Sequence, residues 1–216
     1  MHFTGDKAST RFLETNVLNL AYAQFDGVGR YGIPRMLQSH VDNLKDIPIQ
    51  GFNFALKEQH PENIGVHFFL HDYQFERVWN YPDRYIDVLK RFAFVLSPDF
   101  SPYRDIPRVL QVYNIYRNRW CGRYWQENGV NVIPTVTWSS DENLKIVVQG
   151  IPKHSTIAIS TMGEGRYANW KELYAGWDYV MQKLEPECVL LYGKDLSDKL
   201  SGNIVVKKLI SSKVAV

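Results

Sequence analysis

The sequence holds few of the residues on which several protein classes depend. Only two cysteines occur, Cys121 and Cys188, and they lie far apart in the chain. They lack the short spacing of a metal-binding pair. Two isolated thiols are typical of a protein of the reducing cytosol rather than of a disulfide scaffold. The sequence therefore predicts a fold that depends on its hydrophobic core for stability.

Long apolar runs and an excess of one charge are missing as well. No stretch of about 18 apolar residues occurs, and residues 1–20 are polar, so we expect neither a membrane-spanning helix nor a signal peptide. The 25 Lys and Arg oppose 23 Asp and Glu, a net charge of +2. This balance argues against a surface wholly dedicated to nucleic acid or membrane, although a local basic patch stays open. We expect a cytoplasmic protein without membrane contact.

The 216 residues fit one large domain, which would bury roughly 70% of its unfolded surface. Residues 1–48 are punctuated by glycine and proline and show poor periodicity. They predict an irregular N-terminal layer with one helix near residues 34–44. Repeated strand–helix units are expected over residues 49–216.

Short apolar runs recur after residue 48. They cover residues 49–55, 66–70, 93–96, 130–136, 156–159, 188–191 and 204–209. Each is bounded by turn-forming residues, and none alternates polar with apolar positions. Such runs are typical of parallel strands that are covered on both faces.

Segments with helical spacing separate the runs. They cover residues 82–92, 107–128, 141–149, 168–184 and a short turn at 195–200. Strands that alternate with helices predict an α/β fold: a short or incomplete (β/α) barrel with parallel strands, or an open doubly wound parallel sheet. The even spacing of the strand starts favours the barrel. Pro134 argues against regular pairing within its run, because proline lacks the donor for the strand ladder.

Polar side chains follow the predicted strands, where both architectures bind their ligands. Asp72 and Asp99 follow neighbouring strands, and two carboxylates so placed would hold a divalent cation or divide acid and base roles. The alternative is that each carboxylate caps its own turn. Tyr103 and Trp138 follow strands in the same way and are candidate ligand-binding residues.

A glycine-rich turn precedes the predicted helix 168–184. Thr161, Gly163, Gly165 and Arg166 lie in it. Exposed backbone N–H groups in such a turn would hold a phosphate, and Arg166 would add positive charge. The alternative is a plain turn.

The predicted helix 107–128 mixes arginines with aromatic residues. Helical spacing predicts a buried face that holds Val109, Val112, Tyr116 and Trp120. Arg117, Arg119 and Arg123 would then project elsewhere, as a surface for phosphates and bases. The alternative is a solvated face whose arginines pair with acids.

Several segments in series resemble one known family. They are residues 66–79 (VHFFLHDYQFERVW), 96–103 (LSPDFSPY), 113–120 (YNIYRNRW), 132–138 (VIPTVTW) and 150–152 (GIP). Together they resemble the domain of unknown function 4417, over roughly residues 47–193. The resemblance implies a bacterial or phage protein with an accessory role in a phage or mobile element. It implies no catalytic residues.

Three function classes remain open. The first is an enzyme that acts on a phosphorylated or sugar-like polar ligand at the strand ends, with a divalent cation as its candidate cofactor. The second is an accessory factor that binds a host protein through exposed Trp and Tyr side chains. The third is a module that binds nucleic acid or nucleotides through the arginine face, with an affinity that falls steeply with salt.

Overall fold

The computed structural model describes residues 17–140, 143–162 and 170–207. In these ranges the strands are β1 Gly27–Val28, β2 Ile33–Pro34, β3 Ile49–Gly51, β4 Gly65–His67, β5 Phe94–Leu96, β6 Val132–Ile133, β7 Thr156–Ser160, β8 Cys188–Tyr192 and β9 Ile204–Lys207. The helices are α1 Phe52–Ala55, α2 Arg77–Asn80, α3 Ile86–Leu89, α4 Arg108–Glu127, α5 Leu144–Val147 and α6 Trp170–Leu184. Single 3-10 turns occur at Val17–Asn19, Pro61–Asn63, Asp72–Gln74 and Pro82–Tyr85.

Seven of the strands are parallel and follow one another in chain order. Strands β3 to β6 form one sheet and strands β7 to β9 another, while β1 and β2 form an antiparallel hairpin. A parallel bridge between Thr135 and Ala158 joins the two parallel sheets. Ala158 N donates to Pro134 O at 2.8 Å, and Val136 N donates to Ala158 O at 2.8 Å. All seven apolar runs thus supply a strand of a mixed α/β fold.

The parallel strands curl strongly. The rings of His67 in β4 and Tyr192 in β8 lie 4.5 Å apart, centroid to centroid. Four strand positions in a flat sheet would separate them by about 19 Å. Lys207 Nζ, at the end of β9, donates to the carbonyl oxygens of Lys45 at 2.9 Å and Ile47 at 2.6 Å, just before β3.

The expected barrel is not closed in the described residues, because no strand pairing there joins β9 to β3. A doubly wound sheet reverses its strand order at a switch point, and the described strands show no such reversal. The inner side of the curl holds one hydrophobic cluster. Its buried members are Leu44, Ile49, Phe94, Leu96, Ile133, Ala158, Leu190 and Tyr192.

Two further clusters cover the outer side of the strands. One packs α4 against β4 and β5 through Trp120, Trp125 and Phe68. The other packs α6 against β7 and β8 through Trp177 and Leu173. The strands are therefore covered on both faces, which explains why their runs read as continuously apolar.

The long predicted helices form where the spacing placed them. The helix α4 runs from Arg108 to Glu127, and Gly129 terminates it two residues later. The φ of Gly129 is +82°, a backbone conformation that suits a residue without a Cβ. The segment 82–92 is a 3-10 turn followed by α3, and α6 begins at Trp170 at the edge of the described residues. None of the helices in the described ranges is long and apolar enough to cross a bilayer.

Three local predictions are wrong. Residues 34–44 form no helix, because Met36 N donates to Gly150 O at 2.8 Å and Ser39 O accepts from Thr156 N at 2.8 Å. Residues 52–55 form the helix α1 instead of extending β3, and bury Phe52 and Ala55 at helical spacing. Residues 195–200 make turns rather than a helix.

Candidate functional site

A pocket of about 600 Å³ opens at the carboxyl ends of β4, β5, β6 and β7. It is lined by hydroxyl groups and by aromatic rings. Among its lining residues are Phe69, His71, Ser101, Tyr103, Thr137 and Trp138. Because parallel strands present all their carboxyl ends at one edge, loops that are far apart in sequence meet here.

Asp72 lies beside this pocket at the start of the 3-10 turn Asp72–Gln74. Its Oδ1 accepts a hydrogen bond from Ser101 Oγ at 3.0 Å, and its Oδ2 accepts one from Ser101 N at 3.1 Å. Burial raises the pKa of Asp72, and the charge of Asp99 raises it further, against the Ser101 hydrogen bonds and the charge of Arg117. A raised pKa brings a carboxyl group closer to the range in which general acids work.

Asp99 is almost fully buried, with 1% of its surface exposed. Its Oδ1 accepts a hydrogen bond from Thr137 Oγ1, and Thr137 lines the pocket. The two carboxylates are therefore close enough to interact, yet they have different environments and different hydroxyl partners.

The loop that carries Asp99 is fixed from below by α4. Asn118 Nδ2 donates to Pro98 O at 2.6 Å, and Asn118 Oδ1 accepts from Ser97 Oγ at 2.9 Å. Ser97 Oγ in turn accepts from Thr135 N at 2.8 Å. Asn118 thus fixes the residues after β5, and Ser97 joins them to Thr135 after β6.

Arg119 is a buried cation beneath the site. Its guanidinium donates to the carbonyl oxygens of Thr135 at 3.0 Å and Gln149 at 3.1 Å, and also to Val147 O. Burial lowers the pKa of Arg119 to about 9, while the charge of Asp99 raises it. The group is still protonated at pH 7, so it balances part of the negative charge of Asp99.

The predicted basic face on α4 is wrong. Arg117 and Arg119 are 8% and 2% exposed, whereas Val109, which was expected in the core, is 71% exposed. Arg117 pairs with Glu76 and lies 3.9 Å above the Phe100 ring, and Arg123 pairs with Glu127. Arg117 and Arg119 find partners inside the fold, and the partly exposed Arg123 pairs with an acid of its own helix, so the three do not form the open basic surface that was predicted.

The other predicted ligand-binding residues do not all lie at the pocket. Tyr103 and Trp138 line the pocket. Thr161 Oγ1 instead accepts from Lys194 N at 2.6 Å and joins the loops after β7 and β8. Gly163, Gly165 and Arg166 lie outside the described residues. The ligand-binding roles of these residues and of Arg117 stay predictions.

The predicted divalent-cation site at Asp72 and Asp99 gains no further ligands from the described residues. No group of three or more His, Cys, Asp or Glu side chains in the described ranges could hold a metal ion. Asp72 and Asp99 each accept a hydrogen bond from a hydroxyl group, that of Ser101 and that of Thr137 respectively.

Three site residues were missed by the sequence reasoning. Ser101 and Thr137 were not among the predicted site residues, although each donates a hydrogen bond to one of the two acids. His67 was not among them either; it is 5% exposed and lies inside the curl. Its position two residues before Phe69 on a strand was a usable signal, because side chains two apart share one face.

Comparison with known proteins agrees with the resemblance read from the sequence. The chain belongs to the family described as a domain of unknown function, DUF4417, whose model matches residues 25–208. It is 35% identical over 199 residues to the Gene 1 protein of Mycobacterium phage L5, a match that covers 90% of this chain and 85% of that protein.

A second relative is the Gene 1 protein of Mycobacterium phage D29. It is 41% identical over 130 residues, which cover 60% of this chain and 48% of that protein. The match thus spans about half of the D29 protein. No solved structure matches the chain.

Proposed function

We propose that the protein is an enzyme that acts on a sugar-like polar ligand at the carboxyl ends of its parallel strands. The observation that carries the proposal is the pocket of about 600 Å³ at four neighbouring strand ends. Its size fits a small molecule, and it combines aromatic rings with a few placed hydroxyl groups, as ligand sites do. Tyr103 and Phe69 offer ring faces, and Ser101 and Thr137 offer hydroxyls.

Asp72 and Asp99 are the proposed acid and base. Burial and the neighbouring charge raise the pKa of Asp72, so this carboxyl group holds its proton to a higher pH than a solvated one. Asp99 is buried and balanced by Arg119. Two carboxyl groups in unlike environments can divide the roles of donor and acceptor in one reaction.

A phosphorylated ligand is the second form of the same proposal. It depends on Gly163, Gly165 and Arg166 as the anion-binding turn, together with Thr161. Within the described residues no Lys or Arg lines the pocket, so a neutral sugar is preferred. Sugar phosphates and a divalent cation belong in the test for this reason.

The test is a thermal-shift panel on the full chain. Its probes are methyl glucoside, ribose, glucose 6-phosphate and ribose 5-phosphate, each with and without Mg²⁺ or Mn²⁺. A ligand at about 100 times its Kd stabilises a protein by about 2.7 kcal/mol, a shift of several degrees at this size. We expect a shift with a neutral sugar that Asp72→Asn and Asp99→Asn each abolish.

The matched control is Asp87→Asn, because Asp87 is exposed on α3. This variant should keep the full response. A response that survives Asp72→Asn and Asp99→Asn together would show that the acids take no part. A shift with the phosphates alone would transfer the proposal to the turn 161–166.

The proposal includes a setting and an architecture. We propose one domain in which the seven parallel strands form an incomplete barrel, with residues 17–48 of the predicted N-terminal layer beside it. Residues 1–16 of that predicted layer lie outside the described residues. The inner cluster and the contact between His67 and Tyr192 support this. The phage relatives support an accessory role in the cytoplasm of an infected bacterium.

A host protein as partner is the second candidate. Val109 and Leu110, at the start of α4, are 71% and 46% exposed, and such apolar side chains suit an interface more than solvent. Tyr103, 48% exposed, lies in the preceding loop. We expect that any host protein captured from lysate is lost with Val109→Ser/Leu110→Ser. Capture that Lys90→Ser also abolishes would not be specific for these residues.

A further inference from the structure

His67 is a buried polar side chain that the proposed acid and base do not use. It ends β4, is 5% exposed, and its Nδ1 has no hydrogen-bond partner in the described part of the chain. Burial lowers the pKa of His67 to about 4, so the ring is neutral at pH 7. A buried nitrogen without a hydrogen-bond partner destabilises the folded protein, because it has lost its hydration and gained nothing in return.

The ring is enclosed by aromatic neighbours. Its centroid lies 4.5 Å from that of Tyr192 in β8 and 5.9 Å from that of Phe69. Phe69 and Tyr192 are themselves stacked, 5.1 Å apart and within 16° of parallel. Tight packing alone would be served equally well by a phenyl ring at position 67, so packing does not explain an imidazole there.

Phe69 connects this cluster to the pocket. It is partly exposed and lines the pocket, and its ring also contacts His67 and Tyr192. A change in the Phe69 side-chain rotamer would therefore extend the pocket inward towards the imidazole. Side-chain rotamer changes are common at ligand sites whose backbone stays fixed.

We propose that His67 is the inner binding residue of the pocket and that its Nδ1 hydrogen-bonds an uncharged hydroxyl group of the ligand. The inference rests on the proposed function, because it requires a ligand in the pocket. It adds that His67 contacts the ligand, that a change in the Phe69 rotamer connects the pocket to His67, and that the ligand is a neutral polyol.

A hydroxyl group is the ligand group that the chemistry selects. A neutral imidazole carries its proton on one nitrogen only, so Nδ1 either donates or accepts. A hydroxyl group does both and therefore satisfies either tautomer. A carboxylate or phosphate in this position would lose its hydration among apolar rings, and the neutral imidazole would supply no charge in return.

The first experiment replaces the imidazole. If Nδ1 is kept for a ligand, His67→Phe removes an unsatisfied group and raises the Tm of the ligand-free protein by several degrees. Tyr192→Phe, which changes a neighbouring ring and leaves the imidazole, should not raise it. A fall in Tm with His67→Phe would mean that Nδ1 is satisfied within the fold, by water for instance, and would overturn the proposal.

The second experiment observes the imidazole of the wild-type protein directly. Histidine labelled with ¹⁵N gives separate ring-nitrogen signals, and His67 is assigned by its loss in His67→Phe. Methyl glucoside, ribose and glycerol are titrated, with inorganic phosphate as the charged comparison. We expect at least one polyol, and not phosphate, to shift the Nδ1 signal of His67.

The two proposals can fail separately. A polyol that stabilises the protein through Asp72 and Asp99 but leaves the His67 signal unchanged overturns this inference and keeps the proposed function. A shift of the His67 signal by a polyol whose binding survives Asp72→Asn and Asp99→Asn supports the binding residue and counts against the acid–base roles. Phosphate alone shifting the signal also overturns the inference.

Discussion

Asp72 accepts two hydrogen bonds from a single residue, Ser101, one from the hydroxyl at 3.0 Å and one from the backbone N–H at 3.1 Å. Ser101 lines the pocket, so the hydrogen bonds between Asp72 and Ser101 join the loop after β4 to the loop after β5 at the rim of the pocket. Asn114 Nδ2 donates to Ser101 O at 2.7 Å and ties the same loop to α4. The carboxylate is therefore held in place before any ligand arrives.

The first prediction concerns the charge state of Asp72. A hydrogen bond to the ionised form lowers a carboxyl pKa, so Ser101→Ala should raise the pKa of Asp72 further above its usual range. We expect a loss of stability of about 1 kcal/mol. A ¹³C NMR titration of the Asp72 carboxyl group measures the pKa. Ser197→Ala, which removes the hydroxyl bonded to the exposed Asp195, should leave that titration unchanged.

The strands could be predicted from the sequence because strands buried on both faces form short, continuous apolar runs. A run such as that of β7 Thr156–Ser160 is apolar over its three central residues and bounded by turn formers, and its five residues are all buried. The strand ends then follow, and with them Asp72, Asp99, Tyr103 and Trp138. Their order around the pocket required only that the strands be parallel.

The arginines show where this reasoning stops. Helical spacing identifies faces of α4, but the neighbours decide which face is buried. Arg119 is buried because the carbonyl groups of Thr135, Val147 and Gln149 offer acceptors at the point where β6 and α5 end. Those acceptors lie 16 to 30 residues away in the chain, and no local pattern indicates them.

The second prediction concerns the contact between β9, the last parallel strand, and the segment just before β3, the first one. Lys207→Met removes the ammonium group that bonds the carbonyl oxygens of Lys45 and Ile47. A hydrogen bond from a charged group contributes about 1.5–3 kcal/mol. Because the two bonds share one ammonium group and are not additive, we expect a combined loss of about 2–3 kcal/mol in urea unfolding. Lys45→Met is the control, because the side chain of Lys45 is exposed and only its carbonyl group takes part. Equal effects of the two variants would contradict the prediction.

The third prediction concerns the wall of the pocket. Gly176 in α6 faces Trp138, and a Cβ at position 176 would lie 2.1 Å from Trp138 Nε1. A change from Gly to Ala in a helix interior usually stabilises a protein. At position 176 the added methyl group must displace the Trp138 indole, so we expect the free energy of unfolding to fall by about 1–3 kcal/mol and the tryptophan fluorescence to change. Ala175→Gly, at the exposed neighbouring position, should cost about 1 kcal/mol without changing the fluorescence. Stabilisation by Gly176→Ala would show that Trp138 yields freely.

The fourth prediction separates buried from partly exposed arginines on one helix. Arg119→Lys keeps the positive charge but replaces the planar guanidinium that donates to three carbonyl oxygens. Because an ammonium group in its place leaves buried acceptors unsatisfied, we expect a loss of about 3 kcal/mol. Arg123→Lys should cost less than about 1 kcal/mol, because its pair with Glu127 is partly exposed. Chemical unfolding of both variants measures the difference. Similar losses would mean that the carbonyl contacts of Arg119 contribute little.

The fifth prediction concerns pH. The folded pKa of His67 is about 4, below the usual 6.5, and Tyr192 beside it stays neutral because burial raises its pKa. As the pH falls from 6.5 towards 4, the unfolded chain binds a proton at His67 that the folded chain does not, so stability is lost. The size is about 3 kcal/mol at 1.36 kcal/mol per pKa unit. His67→Phe lacks this contribution, so its stability advantage over the wild type should grow by that amount between pH 7 and 4. Tyr192→Phe keeps the imidazole and removes a hydroxyl group that stays neutral in this pH range, so it should keep the pH dependence of the wild type. A difference between His67→Phe and wild type that is constant with pH would mean that His67 is solvated or protonated in the fold.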